Sequence, residues 1–84
     1  MWIITKDKIS KGKRVGTKSA NYDQLSFDVL CTVLFRMRDD DGHVYYEGKA
    51  TPDCEFEPLD DFGMPNDGCT EIQYKNEKGE WETL

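Results

Sequence analysis

Residues 31–48 read CTVLFRMRDDDGHVYYEG, and the fold turns on how they are paired. Val33, Phe35 and Met37 alternate with Leu34, Arg36 and Arg38, the period-two pattern of a strand with one buried face. Val44, Tyr45 and Tyr46 are strong strand formers on the return. Between them Asp39-Asp40-Asp41-Gly42 supplies a turn, because Gly accepts positive φ and Asp side chains bond nearby backbone N–H groups. A loop of two or four residues keeps Val44 and Tyr46 on the face of Val33, Phe35 and Met37, whereas a three-residue loop with a bulge sets them opposite the arginines. The apolar pattern favours the former. Val33, Phe35, Met37, Val44 and Tyr46 are thus expected to line the core, with Arg36 facing Glu47 and Arg38 facing Tyr45 on the wet side.

Outward from the hairpin, the chain's 84 residues make one domain, 1–84. Only 37% of residues are hydrophobic against 33% charged, so the core is expected to be thin, one sheet covered on one side. Trp2 to Thr5 reads as a strand. A second hairpin runs from Thr70–Tyr74 to Glu80–Thr83 around Asn76-Glu77-Lys78-Gly79, and a four-residue loop pairs Tyr74 with Trp81, Ile72 with Thr83 and Lys75 with Glu80. Ser19 to Leu25 carries helix-start residues, Ser19 or Asn21 as cap with Tyr22, Leu25 and Val29 on one face. Alternation from Leu25 through Met37 competes with it, so a short helix near 20–26 feeding a long strand fits both signals. The expected fold is mainly β, an antiparallel sheet of four or five strands built from two hairpins.

Thr51 to Cys69, TPDCEFEPLDDFGMPNDGC, holds all three prolines of the chain and is expected to contain no regular element. Phe56, Leu59, Phe62 and Met64 read as anchors of a compact loop. At the other end Lys6, Lys8, Lys11, Lys13, Arg14 and Lys18 oppose only Asp7, so residues 1–20 carry +5 while residues 21–84 carry −11. With few apolar anchors beyond Ile9 and Val15, this basic arm is expected to be loosely held. Three cysteines and no N-terminal apolar stretch of signal-peptide length lead to the expectation of reduced, packed thiols in a cytoplasmic setting with no membrane contact.

The familiar chemical motifs fail on spacing. GKRVGT lacks both the spacing and the Lys-Thr pair of a phosphate loop. Asp39-Asp40-Asp41-Gly42 lacks the acid at position 37 and the bidentate Glu at position 48 that a calcium loop requires. Cys31, Cys54, Cys69 and the single His43 have no zinc-ligand spacing, and Asp61-Phe62-Gly63 stands without the other segments of a kinase. No cofactor and no metal ligand set is therefore expected.

The phrases FRMRDDDGHVYYEG and FEPLDDFGMPNDGCTEIQY resemble a group of small bacterial proteins of unknown function, over the C-terminal portion from Phe35 onward. The resemblance implies a cytoplasmic bacterial setting and no activity, so it assigns no residue a role. The chain's own residues give the functional expectation: a non-catalytic protein-binding or accessory module working through the acidic loop 53–67, with Asp60, Asp61, Phe62 and Asp67 as contact residues. A small carboxylate-based, metal-dependent enzyme is the rival, because crowded carboxylates share a proton or a cation. An acidic mimic of nucleic acid is a third reading, blunted by the basic arm. Nucleic acid itself is not expected as a partner.

Overall fold

In the computed structural model, which describes residues 1–84, both hairpins close by the same device. The Asp39 carboxylate accepts the backbone N–H groups of Asp41 and His43, each at 2.9 Å, and Gly42 takes φ 82°. Asn76 does the same for Lys78 and Glu80, also at 2.9 Å, with Gly79 at φ 81°. Asp39 and His43 pair through the N–H of Asp39, and Asn76 and Glu80 through the N–H of Asn76. Each loop is therefore three residues long with glycine in the left-handed position, not two or four. The side chain of the first residue dictates this, since it satisfies two N–H groups that a shorter loop would orient differently.

The consequences differ between the two hairpins. In the first, β2 (Val33–Arg38) pairs with β3 (Val44–Ala50), and Arg38 meets Val44 rather than Tyr45. Val44 thereby leaves the core face. An extra residue at Tyr45 then restores the register, so that Met37 meets Tyr46 and Arg36 meets Glu47 as expected. Phe35, Met37 and Tyr46 are fully buried, whereas Val33 is only half-buried. The second hairpin, β4 (Glu71–Lys75) with β5 (Trp81–Thr83), has no compensating bulge. Its pairs are Lys75 with Trp81, Tyr74 with Glu82 and Gln73 with Thr83, one residue away from the expected set. Trp81 accordingly turns away from the core and lies under the Arg36 guanidinium, 4.4 Å from the ring centre.

With β1 (Trp2–Asp7) added, the antiparallel sheet has the order β1-β3-β2-β4-β5. Trp2, Ile4, Phe35, Met37, Tyr46 and Ile72 form the inner face, covered by Cys54, Leu59, Phe62 and Cys69. That cover corrects the expectation of an irregular loop: a π-helical turn, Leu59–Gly63, runs directly into a short helix, α2 (Met64–Asp67). Pro65 has no N–H to give the preceding turn, and the Met64 N–H bonds the Leu59 carbonyl five residues back. Gly68 at φ 71° closes the segment, with the Cys69 N–H on the Gly63 carbonyl at 3.2 Å. All three cysteines are free and buried.

On the outer face a single helix, α1 (Gln24–Leu30), sets Phe27 against Ile3 and Cys31. It starts later than expected because Asp23, not Ser19 or Asn21, caps it, accepting the Ser26 N–H at 2.8 Å. The strand alternation therefore begins only at Val33. Tyr22, Leu25 and Val29 stay exposed. No helix is long and apolar enough to cross a membrane.

The basic arm is tied down, contrary to the sequence reading. The buried Asp7 carboxylate accepts the N–H groups of Ile9, Ser10 and Arg14 and the Ser10 hydroxyl. The returning chain then pairs along β1, through Gly16 N–H to Ile4 at 2.9 Å and Ser19 N–H to Trp2 at 3.0 Å. Amide exchange should find Ile9, Ser10, Arg14, Gly16 and Ser19 protected relative to Gly12. Uniformly fast exchange across 8–18 would contradict this anchoring.

Candidate functional site

The acidic segment is held in shape from both sides. Glu55 sits at φ 52°, a left-handed conformation that costs a non-glycine residue about 1 to 3 kcal/mol when tertiary contacts enforce it. Here the Tyr74 hydroxyl donates to the Glu55 carbonyl at 2.6 Å and the Asp60 N–H bonds Phe56 O at 2.9 Å. This geometry turns Phe56 and Met64 outward, 44% and 48% exposed, while Leu59 and Phe62 point into the core at 4% each. Asp60 and Asp61 stand in the first turn of the helical segment, both exposed, and neither enters any ion pair of the protein.

The four residues expected to form the contact surface therefore divide. Asp60 and Asp61 lie together on the surface. Phe62 belongs to the core, its ring 4.9 Å from Tyr46 and 5.9 Å from Trp2, with the Arg14 guanidinium 6.0 Å from its centre. Asp67 is half-buried and accepts the Tyr46 hydroxyl. Burial, then this bond, pushes Tyr46 above the ordinary tyrosine range, so the pair holds the cap onto the sheet. Phe56 and Met64, read from sequence as anchors, replace Phe62 on the surface. Helical phase carries the signal: Leu59 and Phe62 are three apart on one face, while Phe56, Asp60 and Met64 follow at steps of four.

Two other places could hold chemistry. At the first hairpin's tip, one ligand atom each from Asp39, Asp41 and His43 lie within 4.8 Å of one another. The His43 N–H leads the bonds that hold the Asp39 carboxyl below its usual range, so that carboxylate already serves the turn. The one concavity, a hollow of about 400 Å³, is bounded by Asn76, Glu77, Lys78, Glu80 and Glu82 at the second turn, with no hydrophobic residue among them. Among the thiols, burial pushes Cys69 up to about 11 and Cys31 also upward, which keeps both protonated and poorly nucleophilic at neutral pH.

Comparison with protein-family models, curated protein sequences and solved structures gave no match.

Proposed function

We propose that this protein is a non-catalytic binding module whose contact surface is the carboxylate-rich face of residues 53–64. The reading rests on one observation above the rest: Asp60 and Asp61 have no ion-pair partner in the chain, and the exposed Phe56 and Met64 accompany them on a segment fixed from beneath. A solvated acidic loop needs neither the outward aromatic nor the left-handed Glu55. Asp53, Glu55 and Glu57 extend the same charge, and residues 51–69 themselves contain no Lys or Arg. Such a face suits a protein surface that offers cations around an apolar patch. Charges would then steer encounter, and Phe56 and Met64 would supply the contact desolvated at the centre.

The test is affinity capture from a native lysate with the protein and with the double variant Asp60→Asn/Asp61→Asn. The variant should lose the retained partner while its stability stays within about 0.5 kcal/mol, as for exposed positions without partners. Equal capture by both proteins would remove these two residues from the contact surface. A variant that unfolds early would assign them a structural role instead.

A further inference from the structure

The outer face of the sheet has the opposite character. Cross-strand pairing places Lys6, Arg36, Arg38, Lys49 and Lys75 there with only Glu47 and Glu71 among them, a net +3 in a chain whose total is −6. Lys6 and Lys8 share Glu47 at 3.9 and 3.3 Å, and Arg38 is spent on Glu71. Lys49 holds Asp28 of α1 at 2.6 Å. Arg36 and Lys75 instead lie against the Trp81 ring, 4.4 and 5.6 Å from its centre, and neither has an ion-pair partner.

This charge comes with apolar surface. Leu34 on the same sheet face is 48% exposed, and α1, which buries only Phe27 against the face, leaves Val29 and Leu30 at 62% and 50%. The other side of the sheet carries the cap, whose residues 51–69 have six carboxylates, no cation, and the exposed Phe56 and Met64. One molecule thus bears two complementary surfaces on opposite sides of a single sheet.

We propose that the outer face of one copy receives the acidic cap of a second copy, head to tail. The proposal rests on the binding role given above to the acidic face and names its partner. Because the two surfaces are different and lie back to back, the contact is heterologous: every copy added leaves one free face of each kind. A broad face of a molecule measuring 34 × 30 × 19 Å offers at most roughly 800 Å² to a partner, the size of a standard specific interface. The like net charges of two copies are screened beyond about 8 Å at physiological salt, whereas charges meeting in the contact are not.

Sedimentation velocity on the full chain tests this with two variants. Leu34→Asp/Lys75→Glu alters the outer face only, and Asp60→Lys/Asp61→Lys alters the cap only. All four positions are exposed, and near-UV circular dichroism confirms the fold of each variant. The unaltered protein should gain average mass with concentration at about 0.15 M salt and fall back toward one copy at about 1 M. Each variant alone should stay a single copy, and their mixture should form a one-to-one pair that grows no further, since one intact face of each kind remains. A single-copy protein at every concentration overturns the proposal, as does a mixture that forms no pair. Continued self-association of the cap variant also overturns it, because that result means that α1 or an outer face meets its own kind. If a cap variant misfolds, Asp60→Asn/Asp61→Asn replaces it in the same mixture. Should the protein stay single while the Asn variant still loses its captured partner, self-association falls and the binding role of the acidic face stands.

Discussion

Phe35→Ala should lower the unfolding free energy by about 3 to 5 kcal/mol, the range for emptying a fully buried aromatic site. Phe35 has no exposed surface, and its ring lies 6.1 Å from that of Tyr74. Tyr74 is its cross-strand partner on β4, and Gly48 is its partner on β3. A Cβ added at Gly48 would stand 2.4 Å from the ring and 2.4 Å from the Ile3 carbonyl oxygen of β1. Gly48→Ala should therefore cost about 1 to 3 kcal/mol or somewhat more, since one obstacle is backbone and cannot swing aside. The double variant should lose less than the sum of the two, because removing the ring relieves one clash and leaves the other. Denaturant unfolding of the three variants checks this. A neutral Gly48→Ala would mean that β1 and β3 do not approach as closely as described.

What could be read from residues alone was the part governed by period and composition. Phe35, Met37 and Tyr46 announce a buried face by alternation, and the free energy of burying them outweighs local variation. The turns were misread because a single Asx side chain at Asp39 or Asn76 chooses the loop length, and that choice depends on hydrogen-bond geometry that no periodicity records. One step of register at Asn76 moved Trp81 to the outer face and so concealed the cationic surface it anchors. Within the acidic segment, Pro58 and Pro65 argued against a helix, yet Pro is tolerated at a helix start and the wide turn before Pro65 needs no N–H from it. Asp60 and Asp61 were visible as a candidate site. Phe62 and Asp67 were not separable from them until helical phase set Phe62 in the core and the Tyr46 hydroxyl tied the half-buried Asp67 to the sheet.

Asp7 is the second position where a large effect is expected, and its effect depends on pH. Burial alone would push this carboxyl upward. The Ser10 hydroxyl and the N–H groups of Ser10, Arg14 and Ile9 outweigh burial and hold it down at about 2, against an ordinary value of 3.8. A folded pKa below the unfolded one means that the ionised form stabilises the fold. The contribution is complete above about pH 5 and fades as pH falls from about 4 toward 2. At about 1.4 kcal/mol per unit of difference, it amounts to about 2 to 3 kcal/mol at neutral pH. Asp7→Asn removes the charge and one acceptor while leaving the arm's N–H groups in place, so at pH 7 it should destabilise by about that much. Near pH 2 the gap between the two proteins should shrink markedly, because Asp7 is then about half protonated in the folded protein and almost wholly protonated in the unfolded chain, which leaves little of the difference. Urea unfolding of both proteins from pH 7 to pH 2 supplies the comparison, and taking their difference cancels the titration of the other carboxylates. A gap that stays constant across that range would mean that ionised Asp7 does not organise the basic arm, and the arm would then be held by its pairing along β1 alone.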